Sequence, residues 1–279
     1  MIFIVSLQAM LKSARLIVCY VVLTLLLSSC NEYNQLLKSN DIEKKYEMAI
    51  KYYEDKNYYR AFPLLEELVS LYRGTDKAEK IYYYYAFCNY YMGEYDMANY
   101  HFKNFAKTYP NSSYAEECLF MNAYTYYINS PEPSLDQTNT LSAISELQLF
   151  IDKYPNSSKV AEANELIDKL RLKLETKAYH ICKQYYRTQN YKSVIVSIAG
   201  ALKDFPGLKY HEELTFLVIK SNYLFAINSI ESKKKERLES TVKAYQAYIN
   251  KYPKGEYVKE AESIYENALK ELNKQPLNS

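Results

Sequence analysis

Apolar residues recur along most of this chain at the three- and four-residue spacing of an amphipathic helix, and the pattern is interrupted at near-regular intervals. The interruptions resemble one another: "YPNSSYAEEC" at 109–118, "YPNSSKVAEA" at 154–163, "FPGLKYHEEL" at 205–214 and "YPKGEYVKEA" at 252–261. Proline lacks an amide donor and clashes with the preceding turn, so Pro110, Pro155, Pro206 and Pro253 each mark a helix end. Four places after each proline stands Tyr114, Lys159, Tyr210 or Tyr257, and seven places after it stands Glu117, Glu162, Glu213 or Glu260. A degenerate copy, "YRGTDKAEKI" at 72–81, has Arg73 in the proline position. In the first full copy, Ser113 and Glu116 predict a capping box that opens the next helix.

Between the breaks, small and large apolar residues alternate in a fixed order. In 82–110 these are Ala86, Gly93, Tyr95, Ala98, Phe102, Phe105 and Pro110. They match the small, turn and large positions of the tetratricopeptide repeat, a pair of antiparallel helices. Ala49, Tyr52, Tyr58, Ala61, Leu65 and Leu68 give the repeat before it, and Cys182, Tyr185, Tyr191, Ile198, Ala201 and Pro206 another. Polar insertions split two pairs: "NSPEPSLDQTNT" at 129–140, a loop, and "NSIESKKKERLES" at 228–240. The lysines of the second read as a solvated helix start or as a basic docking patch. The expected fold is all-α: a tetratricopeptide-repeat superhelix of about five helical pairs over 41–255, then a C-terminal helix at 256–273.

The amino terminus follows a different rule. Lys12 and Arg15 precede an apolar run, Leu16–Leu27, that is short for a membrane span and ends in "LSSC" at 27–30. A basic flank, an apolar stretch and small residues make 1–29 a secretory signal peptide, beginning at Met1 or Met10. The closing "LSSC" resembles the bacterial lipobox, which implies that Cys30 becomes the lipidated first residue of the mature chain, palmitate among its acyl groups. The expected organisation is then a lipidated linker at 30–40, amino-terminal repeats at 41–174, carboxy-terminal repeats at 175–273 and a tail at 274–279.

Composition narrows the chemistry. All acidic residues lie beyond the signal, and two of the 35 basic ones lie within it, leaving a mature chain of zero formal charge. Nucleic acid demands a clustered basic surface, so it is excluded as a partner. Of the five cysteines, Cys88, Cys118 and Cys182 sit where repeats want small apolar residues, although a disulfide between two of them stays open. His101, His180 and His211 are too far apart in sequence to pair on one helix face, so neither metal nor cofactor is implied. No GxSxG, Walker loop or HExxH occurs, and five glycines leave little from which to build a phosphate loop. The chain reads as a binding protein, not an enzyme.

The unusual feature is 33 tyrosines with no tryptophan. First helices of such pairs line a groove, and their outward positions are Tyr46, Ile50 and Tyr53, then Tyr83, Phe87 and Tyr90. Further along come Phe120, Tyr124 and Tyr127, then Tyr179, Lys183, Tyr186 and Arg187. Tyrosine gives broad apolar contact with a hydrogen-bonding tip at little entropic cost, which suits an extended peptide. The same rings also fit plain packing between helices.

A lipidated cysteine followed by five tetratricopeptide-like pairs with Y-P-x-S-x-Y-A turns resembles the BamD family of outer-membrane lipoproteins. The stretch "ETKAYHICKQYYRTQNYKSVIVSIAGALKDFP" (175–206) is the most similar part. The resemblance implies a lipid anchor on the periplasmic face of the outer membrane. It also implies docking to the periplasmic domains of a BamA-like barrel protein through 175–273, and help in inserting unfolded outer-membrane proteins. Two other classes share some features: SusD-like glycan-binding lipoproteins, typically longer and Trp-rich, and repeat-containing coordinators of envelope or division, typically with an amino-terminal coiled coil. If Cys30 carries the anchor, Cys30→Ala protein should leave the membrane fraction under a high-salt wash, because several acyl chains hold where one holds only marginally. Retention of the variant on membranes would refute the anchor.

Overall fold

The computed structural model describes residues 32–274; residues 1–31, with the signal segment 1–29 and Cys30, and residues 275–279 lie outside the described residues. Twelve helices and no strand occur among the described residues. A short α1 at 32–38 is followed by α2 (Ile42–Glu54), α3 (Tyr58–Leu71), α4 (Ala78–Tyr91), α5 (Tyr95–Thr108) and α6 (Ala115–Ile128). Then come α7 (Thr138–Lys153), α8 (Val160–Arg187), α9 (Tyr191–Asp204), α10 (His211–Ile227), α11 (Glu231–Lys251) and α12 (Val258–Lys274). The pairs α2/α3, α4/α5, α6/α7, α8/α9 and α10/α11, closed by α12, are the five pairs and final helix that the turn spacing predicts.

The described chain forms two compact units. One holds the described residues up to Asn129 together with Ser142–Ala163; the other holds Ser130–Leu141 and the chain from Asn164 onward. The division therefore falls within α8, earlier than residue 174. The 130–141 segment joins the second unit because Lys173 donates to the Ser130 carbonyl and hydroxyl at 3.0 and 2.6 Å, and Lys177 donates to the Leu135 carbonyl.

In the first unit, α2 packs on α3, α3 on α4, α4 on α5 and α5 on α6, and the first helices α2 and α4 also touch. Ala49, Ala61, Ala86 and Ala98 are fully buried, which lets neighbouring helices approach, while Leu65, Leu68, Phe102 and Phe105 fill the space between them. In the second unit α10 packs on α9, α11 and α12. Its interior runs from Cys182, Val194 and Ile198 to Phe216, Ile219 and Tyr248, and on to Leu238 and Ala268. Cys88, Cys118 and Cys182 are buried free thiols, so none forms a disulfide.

The prolines of the repeated turns end helices as expected, whereas Pro63 lies inside α3. Tyr109, Phe205 and Tyr252, each preceding a proline, sit at ψ 61°, 74° and 62°, away from the helical well that proline forbids to its predecessor. Tyr72, which precedes Arg73, stays at ψ 10°, and the turn is completed by Gly74 at φ +83°. The lysines of "KKKER" lie in the first turns of α11, the helix-start reading.

Two local expectations are corrected. The capping box on Ser113 and Glu116 does not form: α6 begins at Ala115, its N-cap is Tyr114, and no side chain caps it. The turn engages the preceding serine instead, Ser112 Oγ accepting the Tyr114 amide at 3.3 Å. The expected linker is likewise partly helix. Leu36 of α1 is 7% exposed within the first unit's core, Tyr33 meets Tyr52 edge-on at 5.7 Å, and the Tyr33 hydroxyl donates to the Arg60 carbonyl at 3.0 Å.

Phe102 is fully buried, edge-on to Phe87 at 4.8 Å. Phe102→Ala should lower stability by about 3–5 kcal/mol, read as an earlier denaturant midpoint for the first unit. A change under about 1 kcal/mol would show that the pair does not depend on this contact.

Candidate functional site

The turns between pairs decide what the first-helix faces can present. Each lays the residue four places beyond the proline position onto an aromatic ring of the preceding pair's first helix. Tyr114 rests against Tyr83 with ring centroids 4.4 Å apart, Tyr210 stacks on Tyr179 at 4.1 Å, and Tyr257 stacks on Phe216 at 4.8 Å. Where that residue is lysine, the contact becomes cation–π: Lys77 Nζ lies 4.5 Å over Tyr46, and Lys159 Nζ lies 4.4 Å over Phe120.

Three of the recurring glutamates complete the join. Glu117 accepts from the Tyr83 hydroxyl at 2.6 Å, Glu213 from Tyr179 at 3.0 Å and from Lys183 at 2.7 Å, and Glu260 from Lys220 at 2.7 Å. Burial first, and then the accepting carboxylate, pushes the Tyr83 phenol far up and that of Tyr179 up to about 12.

With these joins in place, the expected groove residues separate by role. Tyr46, Tyr83 and Tyr179 are half-buried, each covered by its turn residue. Lys183 is half-buried and paired with Glu213, so its charge is already compensated, whereas Arg187 is exposed. Tyr186 is half-buried and meets Tyr191 edge-on at 6.2 Å. Tyr124 and Tyr127, both half-buried, stack at 5.8 Å. Ile50 is half-buried. Phe87 is corrected from groove to core: at 4% exposure it packs on Phe102 and lends a partner almost no surface. Phe120, at 2%, is the same case.

A more continuous face lies beside the expected one in the first unit. Tyr53 stacks on Tyr84 at 4.0 Å with planes 8° apart, and Tyr58 stacks on Tyr91 at 4.4 Å. Tyr53 and Tyr90 both lie near Tyr91, at 6.4 and 5.3 Å, and Phe87 lies at 5.9 Å from it. Tyr91 is 48% exposed, and Tyr53, Tyr58, Tyr84 and Tyr90 are half-buried. Rotating the α4 register by one residue, from Tyr83 and Tyr90 to Tyr84 and Tyr91, would have found this face. The rings offer apolar area with hydroxyl tips, and burial holds the Tyr53 phenol far above its ordinary range, so it stays neutral. Among the described residues no acidic, histidine or cysteine cluster could hold a metal ion.

A sequence profile of the outer membrane lipoprotein family YfiO matches residues 38–238. The chain belongs to this family. YfiO-type chains are the BamD-like outer membrane lipoproteins, so the resemblance carried by the turns and repeats holds at family level. Among the described residues no helix is long and apolar enough to cross a membrane. Solved structures similar to this family member include a thermophilic TPR protein from Thermus thermophilus, at 14% identity and TM-score 0.34, covering 82% of this chain and 98% of that one. The TPR2AB domain of yeast Sti1, solved in a complex with pHSP90, is similar at 13% identity and TM-score 0.36, with the same coverage of each chain. No curated protein matches the chain.

The raised phenols set a pH limit. Their folded values lie above the ordinary 10.0, so unfolded tyrosines lose protons first as pH rises. The stability they lend is complete below about pH 10 and is lost as pH climbs toward about 12. An alkaline titration should show loss of helicity in that window together with late tyrosinate absorbance. Full tyrosine titration with helicity intact would contradict it.

Proposed function

We propose that this chain is a lipid-anchored scaffold for the assembly of β-barrel proteins in the outer membrane. Cys30 holds it on the periplasmic face, and the carboxy-terminal repeats at 175–273 receive the periplasmic domains of a BamA-like barrel protein. The first unit holds extended segments of unfolded outer-membrane proteins as they pass to that partner. The work is binding, with no covalent step and no cofactor. Family membership supports the outer-membrane lipoprotein part of this reading.

One observation carries the client-binding part: the run of tyrosine rings on α2, α3 and α4. Unfolded barrel segments alternate apolar and polar residues, so a receptor needs apolar contact at alternate positions with hydrogen bonds between them. Tyr53, Tyr84 and Tyr91 supply ring faces in sequence, and their hydroxyls supply the polar tips. Tyrosine also suits many different clients, because its contact does not depend on one complementary charge. Tyr90, Tyr124 and Tyr127 border this role as the half-buried remainder of the expected track, while Tyr46 and Tyr83 are covered by Lys77 and Tyr114.

Aromatic anchors at an interface centre contribute about 2 kcal/mol or more each when truncated. Tyr84→Ala with Tyr91→Ala should therefore weaken binding of a barrel-derived peptide at least about tenfold, near 1.4 kcal/mol. Capture of the BamA-like partner should be unchanged. Thermal melting of the same samples separates site from scaffold: a large drop in melting temperature with unchanged peptide affinity would make these rings structural and overturn the client-binding reading.

A further inference from the structure

A hollow of about 490 Å³ opens among α3, α4 and α5 of the first unit and shares no residue with the aromatic face described above. Its volume is that of a small-ligand pocket. We propose that it binds a neutral saccharide unit.

Its walls are aromatic. Tyr82, Tyr85 and Tyr100 surround the His101 imidazole edge-on, with centroids 5.8, 4.7 and 5.1 Å away. Tyr100 is 59% exposed, so it presents a ring to whatever enters. The rim is polar and balanced: Glu66 and Arg73 carry opposite charges, and Asn104 adds an amide. Burial holds the His101 imidazole below its ordinary range, so it is neutral near pH 7. With no net charge in the lining, a phosphate or other anion gains little from Arg73 before it meets Glu66.

An unmet hydrogen bond lies behind the wall of the hollow. His101 Nδ1 lies 3.3 Å from the Tyr82 hydroxyl, whereas the buried Nε2 has no partner. Buried polar atoms nearly always have one, but this nitrogen is closed off from the hollow, so a ligand hydroxyl or amide would reach it only after the imidazole or the Tyr100 ring shifts.

Nor does repeat stacking by itself produce the site. At the places of Arg73, Tyr82 and Tyr85 the next repeat has Pro110, Leu119 and Asn122. There Asn122 accepts from Asn99 at 2.9 Å and donates to Glu146 at 2.8 Å, bridging neighbouring helices. The first repeat instead departs from the turn proline and opens an aromatic space. A ligand suited to it needs an apolar face for tyrosine rings, hydroxyls for a carboxylate, a guanidinium and an amide, and no charge. A sugar ring has these together. An extended peptide needs paired backbone contacts along a continuing track, and the hollow is bounded by three helices.

The mature protein should be titrated with N,N′-diacetylchitobiose, cellobiose and mannobiose, and separately with inorganic phosphate and a capped phenylalanine-containing tripeptide, by saturation-transfer NMR. At least one disaccharide should bind and, in protein-detected spectra of the same samples, shift the His101 imidazole signal. Tyr100→Ala and Arg73→Ala, both at positions with solvent access, should each weaken it at least about tenfold without changing thermal melting. The proposal falls if no disaccharide binds, if binding survives both substitutions, or if the peptide or phosphate displaces the sugar at lower concentration.

Discussion

Repeat stacking in this chain rests on a contact between a turn and a ring. A helix pair buries its own apolar stripe but leaves the aromatic of its first helix exposed on one side. The next turn covers that ring with its own side chain, tyrosine on tyrosine at Tyr83 and Tyr179, tyrosine on phenylalanine at Phe216, lysine at Tyr46 and Phe120. Such contacts add about 0.5–1.5 kcal/mol beyond the area they bury, and glutamates bonded to phenol or ammonium fix their orientation. Part of the tyrosine-rich composition then has a mechanical reason. Tyrosine serves on both sides of the join: Tyr114 and Tyr210 cover a ring, while the covered Tyr83 and Tyr179 extend a hydroxyl along the ring axis to the carboxylate.

That join links only consecutive pairs, as expected of a solenoid whose stability is a sum of neighbour terms. It also divides the tyrosines by role. Rings covered by a turn are committed to holding repeats together, while Tyr84 and Tyr91 stack on rings of the first pair and keep area for a client. The carboxylates that recur with the fold are consumed in the same way: Glu117, Glu213 and Glu260 all accept bonds from neighbouring repeats. Their recurrence follows the architecture.

Much of this was legible in the residues because turn chemistry is local. Proline past the first turn of a helix usually ends it, so the breaks, the five pairs and the final helix followed from Pro110, Pro155, Pro206 and Pro253 with Arg73 as the degenerate case, whereas Pro63 is accommodated inside α3. Orientation was harder to read. Helix α4, "AEKIYYYYAFCNYY", is apolar on nearly every side, so periodicity alone cannot say which tyrosine faces a groove. Tertiary partners decide it: Phe102 draws Phe87 inward, Glu117 takes Tyr83, and Tyr53 and Tyr58 meet Tyr84 and Tyr91. The capping box failed for a related reason, since a cap depends on the residue at which the helix begins, and the turn places that start at Ala115.

The docking of α1 bears on how the proposed anchor would transmit force. Leu36 is seated in the first unit's core, and Tyr33 is held by Arg60, whose guanidinium lies 5.3 Å over its ring. A pull on Cys30, two residues before the helix in sequence, would bear on the contacts of Leu36 and Tyr33 with the first pair. Were α1 to detach before the helix pairs, the tether would lengthen while they stayed folded. The reach of the scaffold from the membrane would then depend on load as well as on chain length.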